Sequence, residues 1–71
     1  MSQYQRRFGV TAIEKGFITI DQLEEAFKVQ VREEIKENKH RLIGVILFEQ
    51  GLMTLAQIDD VLQSLQTLSA F

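Results

Sequence analysis

The polar side chains of this 71-residue chain are spaced for binding rather than for catalysis. None of its serines, Ser2, Ser64 and Ser69, has a histidine or lysine at the spacing of a nucleophile and its base. Paired carboxylates such as Glu24 and Glu25 are adjacent along a helical pattern, so their side chains diverge instead of meeting on one substrate. We therefore expect the protein not to be an enzyme.

Metal and cofactor chemistry is not expected either. The chain has no cysteine, and its one histidine, His40, lies in a charged stretch without a second histidine. A structural zinc site needs four nitrogen or sulfur ligands, which this sequence cannot supply. The sequence accordingly predicts no metal and no cofactor.

The charge balance and the hydropathy narrow the range of partners. The formal net charge is -2 and the sequence pI is about 5.2, whereas a nucleic-acid binder needs a basic face to replace phosphate counterions. The longest apolar run, residues 42–48, is far shorter than the roughly 20 residues of a membrane span. The first seven residues lack the apolar stretch of a secretory signal. We expect a cytoplasmic protein that binds neither nucleic acid nor membrane.

One segment of about 26 residues occurs twice, in repeats at about residues 6–31 and 41–66, and the whole chain is predicted to be a single domain. Offsetting the chain by 35 residues aligns the following identical pairs: Arg6/Arg41, Gly9/Gly44, Val10/Val45, Glu14/Glu49, Gly16/Gly51, Thr19/Thr54 and Gln22/Gln57. A repeat of this length is typically one supersecondary unit that buries its apolar face against its own copy.

Each repeat carries a helix stop followed by a helix start. Gly16 and Gly51 suit the left-handed conformation that closes a helix. Three residues later, Thr19 and Thr54 precede a glutamine at capping-box spacing. The spacing predicts four helices in an all-α bundle of two helix-turn-helix hairpins: Gln3 to Lys15, Ile20 to about Lys36, Arg41 to Gln50, and Leu55 to about Leu68.

The apolar periods predict which side chains face inward. They are Tyr4, Phe8, Ala12 and Ile13 in the first helix, Leu23, Ala26, Phe27, Val31 and Ile35 in the second, and Ile58, Val61, Leu62, Leu65 and Leu68 in the fourth. The third segment is rich in β-branched residues and could also form a strand. Its alignment with the first helix favours a helix, buried at the centre of the domain.

The stretch from Arg7 to Gln30 resembles the repeated motif of the MshE N-terminal family, a cyclic-di-GMP-binding domain of secretion and pilus assembly ATPases. The matching positions are Arg7, Phe8, Gly9, Ala12, Ile13, Gly16, Phe17, Ile18, Leu23, Ala26, Phe27 and Gln30. The second copy keeps the glycine and apolar positions from Gly44 to Leu62. It has Leu42 in place of the motif arginine and Leu65 in place of the glutamine, with Arg41 one residue early.

The resemblance implies a short, divergent, stand-alone family member, with bacterial second-messenger signalling as its context. Carried over to this chain, it implicates Arg7, Phe8, Gly9 and Gln30 as ligand contacts, with Ile13, Phe17 and Leu23 shaping the site. An arginine can bind phosphate or a guanine edge, and a glycine lets a ligand approach the backbone closely.

A second hypothesis comes from the end of the chain. No charged side chain follows Asp60, and the chain closes with Leu65, Leu68 and Phe71, which a second copy or another protein could cover. The alternative is that these residues pack on the first hairpin. Because the second motif has lost its polar ends, we favour a protein-interaction or self-associating module, with cyclic-di-GMP binding as the alternative.

Overall fold

The structure, a computed structural model, describes the backbone of residues 3–69 and the side chains of residues 3–66. This range contains four helices: α1 (Gln3–Glu14), α2 (Ile20–Glu37), α3 (Ile43–Glu49) and α4 (Leu55–Ser69). The all-α prediction is confirmed, and the ambiguous third segment is a helix. Within this range no helix is both long and apolar enough to cross a membrane.

The predicted turns are confirmed at both glycines. Gly16 and Gly51 have φ values of 78° and 76°, in the left-handed region. The next residues, Phe17 and Leu52, donate their backbone N–H groups to carbonyls five residues earlier, at 3.0 Å in both cases. These are Schellman motifs, which satisfy carbonyls that the helix end leaves without partners.

The predicted capping boxes are confirmed as well. The Thr19 hydroxyl accepts from the Gln22 backbone at 3.1 Å, and the Gln22 side chain accepts from the Thr19 backbone at 2.9 Å. Thr54 and Gln57 repeat both distances. Helices α2 and α4 therefore begin where their local sequence satisfies the first backbone donors.

Equivalent positions of the two repeats are buried alike, as the following pairs show: Phe8/Ile43, Ala12/Leu47, Ile18/Met53 and Ala26/Val61. The closest helix packing joins α2 to α3, α1 to α4 and α1 to α3, so each close pair links one repeat to the other. The repeats thus interlock, and neither closes a core by itself.

Two glycines allow close packing inside this core. A Cβ placed on Gly9 would lie 2.5 Å from Leu23 Cδ1, and one on Gly44 would lie 3.0 Å from Phe8 Cζ. Each glycine thus leaves room for a neighbouring core side chain.

Some predicted inward positions are wrong. Tyr4, Val31 and Ile35 are 55%, 43% and 78% exposed, and Leu62 is 38% exposed. The third helix is buried on one side only, since Val45 and Phe48 are 42% and 43% exposed.

In the part of α2 that carries Val31 and Ile35, it is Gln30 that faces the neighbouring helices, since Gln30 is 3% exposed and donates to the Arg41 carbonyl. Val31 is rotated by about 100° from Gln30 around the helix axis and Ile35 by about 40° more, so both lie outside the buried face of α2.

Candidate interaction surface

The structure separates the ligand residues implied by the resemblance into buried and accessible groups. Phe8, Gly9 and Leu23 are buried together in the core, and Gln30 is 3% exposed. Ile13 and Phe17 are half-buried at the core edge, and Arg7 is exposed. The face of Gly9 that a ligand would approach is occupied by the Leu23 side chain. Arg7 is thus the polar member of the set that solvent can reach freely.

Gln30 belongs to an internal hydrogen-bond network. Its Nε2 donates to Gln5 Oε1 and, at 2.8 Å, to the backbone carbonyl of Arg41. Gln5 Oε1 also accepts from the backbone N–H of Ile43 at 3.0 Å. Since Leu42 gives α3 no side-chain cap, these glutamines hold the start of α3 from α1 and α2. The resemblance implied that Gln30 contacts a ligand, whereas the structure places its side chain inside the protein with internal partners.

Arg41 is held by carboxylates. Its Nε and Nη2 donate to Glu33 at 2.9 and 2.7 Å, and its Nη1 contacts Glu49. Hydrogen bonds from Arg41 hold the pKa of Glu33 below its usual value, and hydrogen bonds to Glu33 and Glu49 raise the pKa of Arg41. This arginine joins α2 to α3, so it does not offer its fork to an external anion.

An apolar groove lies between α1, α3 and α4. Six large side chains between 38% and 66% exposed line it, and together they define the groove: Tyr4, Leu42, Val45, Phe48, Leu55 and Leu62. Its floor includes Phe8, Ile43 and Ile58, and the enclosed volume is about 260 Å³. The Gln5 amide and the Tyr4 hydroxyl are the polar side-chain groups among the residues around it.

Sequence reasoning missed this groove, because it placed Tyr4 and Leu62 inside the core. The sequence signal that could have found it is Leu42, which stands in the second repeat at the position equivalent to Arg7. Leu42 lies three residues before Val45, which is the equivalent of Val10. At the start of α3 the second repeat thus has an exposed apolar side chain where the first repeat has an exposed charged one.

Of the three residues proposed for an interaction surface at the chain end, the structure describes the side chain of one. Leu65 is 6% exposed and packs in the core, so it is not part of an accessible surface. The side chain of Leu68 and all of Phe71 lie outside the described residues. The accessible apolar side chains of α4 are instead Leu55 and Leu62, both in the groove.

Within the described residues, no cluster of three or more histidine, aspartate or glutamate side chains is placed to hold a metal ion. His40 is exposed between α2 and α3, with Nδ1 3.8 Å from a Glu34 oxygen. No protein-family model, curated protein or solved structure matches this chain. The resemblance to the MshE N-terminal family therefore stays a prediction.

Proposed function

We propose that this chain is a non-catalytic protein-interaction module and that the groove between α1, α3 and α4 is its binding surface. The observation that carries the proposal is the convergence of six half-exposed apolar side chains from three helices on one depression. Covering such a patch removes apolar surface from water, at about 25 cal/mol per Å². Patches of this kind mark protein interaction sites.

The groove suits side chains from a helix better than a small polar ligand. Its volume of about 260 Å³ is below the roughly 300–1,000 Å³ typical of small-molecule pockets. Its lining offers the Gln5 amide and the Tyr4 hydroxyl but no cationic side chain, whereas the phosphates of a nucleotide are bound most strongly by charged donors. A helix that inserts a row of apolar residues needs no such donors.

Cyclic-di-GMP is the alternative ligand, and Arg7 is the observation that favours it. Arg7 is exposed and forms no ion pair with another residue in the described part of the chain. Its guanidinium could bind a phosphate or a guanine edge. Because Phe8, Gly9 and Gln30 are buried, this mode would depend chiefly on Arg7 with the half-buried Ile13 and Phe17.

A methyl-resolved NMR titration tests the proposal. The probe is a synthetic amphipathic helical peptide with leucines in one row and lysines beside them, and its control has the same residues in scrambled order. We expect saturable shifts of the Val45, Leu55 and Leu62 methyl groups with the first peptide only. In parallel, cyclic-di-GMP is added while the backbone amides of residues 8–13 are observed.

The repeat supplies a matched control for the groove. Val45 is 42% exposed and its equivalent, Val10, which does not line the groove, is 45% exposed. Val45→Glu should abolish the peptide shifts, and Val10→Glu should leave them unchanged. Absence of groove shifts at any peptide excess would refute the proposal. Saturable amide shifts with cyclic-di-GMP that Arg7→Ala removes would establish the alternative.

A further inference from the structure

A second apolar surface lies on the exposed side of α2. Phe27, Val31 and Ile35 follow one another at four-residue spacing and form what we call the α2 ridge. Val31 and Ile35 are 43% and 78% exposed, and Phe27 is half-buried at the edge of the core. An uncovered row of this kind has the form of a helix that inserts into a groove.

The ridge is flanked by basic side chains. Lys28, Arg32 and Lys36 are exposed and lie with the ridge residues around one shallow depression. Lys28 is 3.9 Å from Glu25, whereas Arg32 and Lys36 form no ion pair with any residue that the structure describes. Glu24 is the one acidic residue around the same depression. The ridge therefore presents apolar side chains beside a largely free positive charge.

The half of the chain that forms most of the groove has the opposite charge. After Arg41 the sequence contains the acidic residues Glu49, Asp59 and Asp60 and no lysine, arginine or histidine. Asp59 is exposed and lies with Tyr4 and Leu62 at the edge of the groove. Glu49 is paired with Arg41, and Asp60 is paired with Lys15 at 3.2 Å. Among the described residues, Asp59 is thus the acidic side chain at the edge of the groove that forms no ion pair, and α3 and α4 carry no basic side chain beside it.

We propose that the occupant of the groove is the α2 ridge of a second copy of this chain. This proposal rests on the groove being the binding surface. A contact between two grooves would bring no basic side chain from α3 or α4 to the unpaired Asp59, and a contact between two ridges would bring basic flanks together. Contact of a ridge with a groove pairs opposite charges around two apolar surfaces, which favours both encounter and specificity.

The two surfaces belong to different helices of one molecule, so the contact is heterologous. Each copy that offers its groove still has a free ridge, and a heterologous contact continues into open chains unless its rotation closes a ring. Average mass should therefore increase with concentration beyond that of a dimer. Salt should weaken the association because it screens charges at exposed sites.

Sedimentation of two single-surface variants, alone and mixed, tests this arrangement. Val45→Glu damages the groove and leaves the ridge intact, and Ile35→Glu does the reverse. Both sites are exposed enough for the fold to survive, which circular dichroism verifies. Each variant alone should self-associate roughly tenfold or more weakly than wild type, because the contact would strip water from the new carboxylate. It should therefore be monomeric at concentrations where wild type associates. An equimolar mixture should form heterodimers that grow no further.

Other outcomes overturn the proposal in distinguishable ways. Self-association of Ile35→Glu alone would indicate contacts between grooves, and self-association of Val45→Glu alone would indicate contacts between ridges. A wild-type chain that stays monomeric at millimolar concentration in low salt, yet binds the helical peptide at Val45, would remove this inference and leave the proposed function standing. Failure of both self-association and peptide binding would remove both. Val10→Glu is the control that should behave as wild type.

Discussion

Replacing Gln30 by alanine should destabilise the whole fold, because Gln30 connects three helices from inside the core. The substitution removes the donor to Gln5 Oε1 and the 2.8 Å hydrogen bond to the Arg41 carbonyl. Each bond contributes about 1 kcal/mol net. The lost methylene adds about 0.8 kcal/mol, since Gln30 is 3% exposed. We expect a total loss of about 3 kcal/mol in the free energy of unfolding.

Urea unfolding followed by circular dichroism measures this loss directly. A domain of this size loses roughly 4–8 °C in Tm per kcal/mol, so the thermal midpoint should fall by about 12–24 °C. Hydrogen exchange should accelerate first at the start of α3, where Ile43 is held through Gln5. The control is Gln3→Ala, at an exposed position of α1, which should change the free energy by less than about 0.5 kcal/mol. An equally small change for Gln30→Ala would refute its structural role.

Two further perturbations test the turn and the ion pair. Gly51→Ala should lower the free energy of unfolding by about 1–2 kcal/mol because of the left-handed backbone alone, since no atom would lie within 4 Å of the new Cβ. Gly51→Asn should lower it less, because asparagine tolerates this conformation better. An alanine variant as stable as wild type would contradict this turn. Because Arg41 holds the pKa of Glu33 below its usual value, the stability that Glu33 contributes is fully present above the usual pKa of a glutamate and is lost as the pH falls through the lower pKa of the folded state. The difference in unfolding free energy between wild type and Glu33→Gln should therefore shrink below about pH 5, and a pH-independent difference would contradict it.

The sequence predicted the turns best because their causes are local. Glycine adopts the left-handed conformation without Cβ strain, and a threonine followed by glutamine three residues later satisfies the first donors of a helix wherever the helix packs. Both copies of this arrangement form as expected, around Gly16 and Gly51. Even the β-branched third segment follows the helix of its equivalent, although its propensity alone allowed a strand.

Burial was harder to predict because it depends on which helices meet. A helical period shows that Val31 and Ile35 share a face with Phe27, but it does not show that the neighbouring helices cover the adjacent face, which carries Gln30, instead. Likewise, nothing local to Gln30 shows that Gln5 and the Arg41 carbonyl converge on it from elsewhere in the chain. These facts belong to the packing of one repeat on the other, which sequence spacing does not specify.

At two positions the second repeat has leucine where the first has a polar side chain, and one of these positions is in the core while the other is on the surface. Gln30 and its equivalent Leu65 are both buried, at 3% and 6% exposure, so that replacement exchanges a hydrogen-bonded core position for an apolar one. Arg7 and its equivalent Leu42 are both exposed, so that replacement changes what solvent or a partner meets. A leucine that is 58% exposed gains little from its own fold, yet Leu42 lies beside Val45 and Phe48 in the groove. The loss of the arginine therefore coincides with the gain of an apolar contact surface, as expected if the second repeat binds protein rather than phosphate.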